Sequence, residues 1–278
     1  MRQILLASSA VALQTLLARG SIRHAFLKGP VLGRELYGNE PLRVCGDLDI
    51  LISPRDFRGA DAALRAAGYR QKLSRWRAAL PLPPRLTYRK DAAYAGPRGE
   101  RLELHWRTDI VECLPGGLEG GPSRTVDLHG RPMPVLDDVR NAAYLCLHAA
   151  KHHWLQLRWL LDIPLFLRAR GLDARELLAG ARALGLERPV KEALHLGESL
   201  LGVPAPPEAR LSLREQERLA RRFLLARSGA SKLDTLRLVL ERARLYPGIA
   251  RKARFLAIVL ADQIALALGN LPEAELSK

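Results

Sequence analysis

The hydrophobic pattern changes character near Pro134, and that change limits the fold more than any other feature of the chain. Before it, apolar runs of strand length alternate with short helical stretches, separated by turn residues. After it, from Asp137 almost to the end, Leu and Ala recur at the three- and four-residue spacing of amphipathic helices. The pattern divides the chain into a part mixing strands and helices, residues 1–134, and a helical part, residues 135–278. Pro204-Ala-Pro-Pro207 separates two helical blocks in the second part. A length of 278 residues, 48% hydrophobic and 26% charged, suffices for a sizeable core and argues against disorder.

In the first part, Met1–Ala18 carries a helical stripe of Ile4, Leu5, Ala12, Leu16 and Leu17. Gln14 interrupts its apolar run, so it reads as a folded helix rather than a signal peptide. Ile22–Leu27 reads as a strand, Pro30 to about Gly38 as a helix with Pro in its first turn, and Asp47–Ile52 as a strand. Ser53 caps a further helix that Gly68 closes. Strands are expected at Tyr69–Leu73, Arg85–Lys90 and Glu100–Trp106, with Gly96-Pro97 and Gly99 turning the chain between the last two. Pro115–Pro122 reads as a Gly/Pro-rich surface loop. Phe255–Leu268 is too short, and with Asp262 and Gln263 too polar, to span a membrane.

Asp47 and Asp49 stand one residue apart at the start of the apolar run Leu48–Ile52. Alternate side chains of a strand share a face, so two carboxylates would occupy one small volume. Their repulsion is costly unless a cation lies between them, and oxygen ligands favour Mg²⁺ held together with substrate phosphates. Glu103 lies in Leu102-Glu-Leu-His-Trp106 and shares its strand face with His105, a neighbour that would tune the acids. If the two strands adjoin, three carboxylates converge, the arrangement used in two-metal phosphoryl transfer. The plainer alternative makes Asp47 and Asp49 surface residues and pairs Glu103 with Arg101 or Arg107 at an edge. Leu27-Lys-Gly-Pro30 joins a strand to a helix N-terminus, where a glycine lets the backbone approach a phosphate. Lys28 is there either a phosphate ligand or a solvated lysine.

His148, Lys151, His152, Leu155, Trp159 and Asp162 recur at helical spacing, as one stripe of one helix. Either Leu155 and Trp159 simply pack that helix, or Lys151 and His152 reach a cleft and touch nucleotide phosphates. The stripe lacks the spacing of a catalytic zinc site. Cys45, Cys113 and Cys146 are odd in number and contain no CxxC pair, which fits a reducing cytoplasm better than a disulfide framework. The net charge of +15 favours polyanionic partners, but the arginines are scattered and aromatics are few. Specific nucleic-acid binding is therefore not favoured.

Several of these segments in combination carry a resemblance. Leu27-Lys-Gly29, Leu36-Tyr-Gly38, Leu42-Arg43 and Gly46-Asp-Leu-Asp-Ile-Leu51 are similar to the uncharacterised bacterial nucleotidyltransferase family of the DNA polymerase beta superfamily. Ala67-Gly-Tyr69, Leu102–Trp106, Leu147–His152 and Trp159–Asp162 continue it, over about residues 20–170. The resemblance implies an α+β fold: a small mixed sheet with flanking helices carrying three acids, followed by a helical domain that closes one side of a cleft. It implies transfer of a nucleotidyl group from an NTP, with ATP expected, to an acceptor hydroxyl, aided by two Mg²⁺ ions. Asp47, Asp49 and Glu103 then form the metal triad and Gly29 the phosphate-loop glycine. Lys28, Arg43, Lys151 and His152 would assist in holding the nucleotide. The acceptor would be a small molecule, a modified peptide or a protein. This chain has Gly29-Pro30 where the superfamily usually has Gly-Gly or Gly-Ser, and a long spacing from Gly29 to Asp47, for which Arg43 would compensate. A different class of function, a non-catalytic RNA-binding protein on the same fold, would use the basic surface instead.

Overall fold

The computed structural model describes residues 1–72, 89–109, 114, 117–118, 123–227 and 232–269. The architecture is α+β. The first helix, α1 (Arg2–Arg19), is followed by β1 (His24–Phe26), α2 (Gly29–Tyr37), β2 (Leu48–Ile52), α3 (Phe57–Ala66), β3 (Arg70–Gln71), β4 (Asp91–Ala95) and β5 (Arg101–His105). These five strands form one mixed sheet in the order β1-β2-β5-β4-β3. The pair β2 and β5 is parallel and the other neighbours are antiparallel. β2 reads Leu-Asp-Ile-Leu-Ile and is buried along its whole length, as a strand with neighbours on both edges and layers on both faces must be. Its register sets Asp49 directly beside Glu103.

Of the stripe expected from the sequence only Leu17 is fully buried; α1 packs through it with Leu6, Ala10 and Leu13, while Ile4 and Ala12 are exposed. Apolar and small residues are spread around this helix, so its sequence carries little periodic information, and the packed face is set by contact with α2, α3 and the later strand Arg131–Leu136. Ser53 does cap, accepting from the Arg55 amide, but over a short 3₁₀ turn that leads into α3. The strand expected at Arg85–Lys90 falls mostly outside the described residues; the antiparallel partner of β5 is Asp91–Ala95. Its three alanines hide the alternation of a strand. The loop expected at Pro115–Pro122 lies largely outside the described residues.

A second sheet follows, a hairpin of β6 (Ser123–Leu128) and β7 (Arg131–Leu136). Pro132 and Pro134 in β7 weaken the strand pattern in the sequence. Edge strands tolerate proline, and a two-stranded hairpin consists of edges. Helices then continue as α4 (Asp138–Lys151), α5 (Leu157–Arg170), α6 (Ala174–Leu184), α7 (Glu187–Leu201), α8 (Leu213–Arg227), α9 (Lys232–Ala243) and α10 (Ile249–Gly269). Asp137 caps α4 by accepting from the Arg140 amide. No described helix is long and apolar enough to cross a membrane. One hydrophobic cluster lies between the sheet, α1 and α3; another joins Ala25, Leu27 and Leu51 of the sheet side to α4, α5, α7 and the distal Tyr246 and Phe255.

The stripe from His148 to Asp162 is not one helix. α4 ends at Lys151, and His153 and Trp154 take left-handed backbone angles, φ 59° and 58°. The chain turns there, and α5 begins a new direction. Leu155, expected to pack, is 44% exposed.

Candidate active site

A cleft of about 640 Å³ opens where the sheet meets α4 and α5, lined by Lys28, Gly29, Arg43, Asp47, Asp49, Glu103, Lys151 and His152 among others. Each of the eight site residues expected from the sequence thus faces one cavity. Asp49 is 2% exposed. Asp47 stands just before β2 and is half-buried. Parallel pairing aligns Asp49 with Glu103, and the strand alternation brings His105 to the same face. One ligand atom each from Asp49, Glu103 and His105 fall within 4.8 Å of one another.

Electrostatics divide the three acids. Burial pushes Asp49 up, but Lys28 at 3.2 Å and His105 at 3.1 Å outweigh it and hold the carboxyl well below its ordinary range. Glu103 is held low chiefly by His105, whose Nε2 lies 3.5 Å from it. Asp47 goes the other way: burial, then the charge of Asp49, raise it. Among the described residues the Asp47 carboxylate has neither an ion pair nor a side-chain hydrogen bond. The converging donor set is Asp49, Glu103 and His105, two ionised carboxylates and an imidazole that fit a divalent cation; Asp47, unpaired among the described residues, stands outside that group and lines the same cleft.

Gly29 and Pro30 stand at the junction of the strand side and α2. Gly29 adopts φ 72°, a left-handed angle, and opens α2; a Cβ added there would stand 3.5 Å from the Asp47 carbonyl oxygen. Pro30 then occupies the first turn, where no intrahelical N–H is needed. Lys28 is not solvated: besides Asp49, it donates to a ring nitrogen of His148 at 3.3 Å. Burial and the neighbouring lysines keep His148 well below its ordinary pKa, so the ring is neutral and can accept.

Arg43 lines the cleft, yet its Nε and Nη2 are held by Asp162 at 3.0 and 2.7 Å. It ties the loop before β2 to α5 rather than presenting a free fork. His152 stacks with His148 and Trp159, ring centroids 4.8 and 5.3 Å away. Burial and Lys151 bring it down to about 3, so it is neutral. Lys151 is brought down to about 8 by burial, helped by Lys90, Arg242 and Lys28 and opposed by Asp109.

Sequence reasoning missed four residues. Asp91 lies opposite His105 in the sheet, 3.8 Å from its Nδ1. Lys90, beside it, faces the cleft. The charged run Arg89-Lys90-Asp91 before a strand was the available signal. Asp109 and Arg242, 133 residues apart and bonded at 3.0 Å, had none.

Residues 1–202 match a protein family described as uncharacterised nucleotidyltransferase. The chain belongs to that family. The match takes in every acid of the cleft, the Gly29 turn and α4. No curated protein matches the chain. An antigenic nucleotidyltransferase-like protein from Paracoccidioides brasiliensis shares 14% identity, over 74% of this chain and 95% of its own, with a TM-score of 0.38. That likeness is too loose to inform the site.

Proposed function

We propose that this nucleotidyltransferase is Mg²⁺-dependent and of the DNA polymerase beta type, moving an NMP group from an NTP, ATP being the expected donor, to an acceptor hydroxyl. The observation that carries the reading is the side-by-side placement of Asp49 and Glu103 on adjacent parallel strands, with unpaired Asp47 at the same mouth. Asp47, Asp49 and Glu103 would hold the metal, which when bound supplies Lewis-acid polarisation of the α-phosphate. Lys28 and His105 keep Asp49 ionised for that purpose. Glu103, ionised, accepts a hydrogen bond from the acceptor hydroxyl and orients it. The acceptor oxygen bonds to the α-phosphorus, the bond to the bridging oxygen breaks, pyrophosphate leaves, and the hydroxyl proton passes to Glu103 and on to solvent. The Gly29 turn and Lys151 accept the nucleotide's negative charge. Residues 1–134 act as the catalytic unit and residues 135–278 as the helical unit closing the cleft.

The acceptor class is a small molecule, a modified peptide or a protein, in the cytoplasm. A second reading, a non-catalytic RNA-binding protein, draws on the +15 charge. The intact set of acids counts against it.

Asp49→Asn should lower NTP turnover by about 10²–10³-fold or more. Binding of each of the four NTPs, with and without Mg²⁺, to the wild type and to an Asp47→Asn/Asp49→Asn double variant names the donor. Full turnover in Asp49→Asn sinks the assignment. RNA affinity falling steeply with salt, without NTP consumption, selects the second reading.

A further inference from the structure

Lys90, Lys151 and Arg242 line the cleft together, close enough that Lys90 and Arg242 both lower the Lys151 pKa. The carboxylates there do not match them in number. Asp109 is wholly buried; its Oδ1 accepts from Arg242 at 3.0 Å and lies 4.0 Å from Lys151 Nζ, while its Oδ2 accepts from Tyr246 at 2.9 Å. Lys90 is paired with Asp91, which Arg89 also approaches at 3.4 Å. Among the described residues, positive charge exceeds negative here; Lys151 is buried and Lys90 and Arg242 are partly buried, and such an excess at a cleft attracts an anion.

Arg242 is set up for one. It comes from α9, beyond residues 1–202 that the family match covers. Its guanidinium lies over the Phe255 ring, 5.3 Å from the centroid, and Phe255 packs in turn on Tyr246. One edge is fixed by Asp109. The buried Nε has no hydrogen-bond partner among the described residues. A planar fork held on an aromatic ring by a buried carboxylate has lost its rotamer freedom before any ligand arrives.

We propose that Arg242, together with Lys151, grips the β- and γ-phosphates of the nucleotide, so that the C-terminal helices form part of the active site. The inference rests on the nucleotidyltransferase reading of the same cleft. Asp49 and Glu103 line the same cleft, where the α-phosphate would react. When the α-phosphorus–oxygen bond breaks, its electron pair goes to pyrophosphate, and a fixed guanidinium stabilises that charge as it develops. Arginine suits the task because it can bond two phosphate oxygens at once.

The test is calorimetric titration of the full chain with ATP, AMP and inorganic tripolyphosphate, each with Mg²⁺, in the wild type, Arg242→Gln and Arg242→Lys. The glutamine variant should bind ATP and tripolyphosphate about 10- to 100-fold more weakly, with AMP unchanged. The lysine variant should fall between, since it keeps the charge and loses the fork. If Arg242→Gln does not fold, as its melting curve would report, the lysine variant carries the same comparison. Undiminished tripolyphosphate affinity in the folded variants overturns the inference, as does an equal loss for AMP and ATP. Wild-type protein that binds tripolyphosphate through Arg242 but turns over no NTP would instead overturn the transferase reading and keep the anion site.

Discussion

Lys151 holds its ammonium inside the protein with a pKa of about 8, against an ordinary 10.5. Two consequences follow, of opposite sign. If the charge binds phosphate, NTP affinity should fall as pH rises through about 8, and Lys151→Arg should remove that inflection because a guanidinium stays charged. Titrating affinity from pH 6.5 to 9.5 checks this. Stability should move the other way. Between about pH 8 and 10.5 the unfolded chain keeps the lysine proton and the folded chain does not, so this group adds stability as pH rises across that window and nothing below it. Urea midpoints that stay flat or fall there, after comparison with Lys151→Met, would refute the sign. Asp47, Asp49 and Glu103 were legible because alternation on a strand is a local rule. Arg43 was legible as a cleft residue and not as the partner of Asp162, since nothing in a sequence says which acid a distant arginine meets.

Two glycines of α2 do different work. Gly29 needs its left-handed angle, while an added Cβ would find ordinary contact at 3.5 Å. Gly29→Ala should therefore cost about 1–2 kcal/mol through the backbone alone and weaken NTP binding by tilting the turn. Gly33 has no such angle, but its Cβ would stand 2.8 Å from the Glu40 carbonyl oxygen and 3.1 Å from Arg43 Cβ. Gly33→Ala should cost about 1–3 kcal/mol by overpacking and push the Arg43 loop outward. Denaturant unfolding of both, beside NTP titrations, separates strain from clash. At this scale the sequence conveyed which segments are helices far better than where they break. His153 and Trp154 adopt left-handed angles without being glycine, and only tertiary packing over-determines such a turn. The β6–β7 hairpin escaped notice for a related reason: prolines are turn signals until a free edge makes them harmless.

Across the molecule, Arg43 and Asp162 connect the acid-bearing loop to the helical part, and both are nearly inaccessible to water. Arg43→Ala should cost about 3–5 kcal/mol, because it leaves Asp162 charged and buried without its partner. Arg43→Met combined with Asp162→Leu should recover most of that loss. Melting temperatures of the two variants test the pair, and equal destabilisation in both would show that the ionic contact itself was needed. The change from mixed to helical pattern near Pro134 was visible in the sequence, but the cavity where the sheet meets α4 and α5 was not. A cleft belongs to neither part, and hydrophobic periodicity describes only the faces that touch.

The bond between Asp109 and Arg242 spans 133 residues. A ribosome extending the chain at about 5–20 residues per second finishes the acidic wall on the order of ten seconds before it adds this arginine. Through that interval the nascent chain carries the carboxylates of the cleft without the guanidinium that lines it beside them. On the proposed role of Arg242, the order of synthesis would keep the unfinished protein from gripping a nucleotide fully until α9 has emerged.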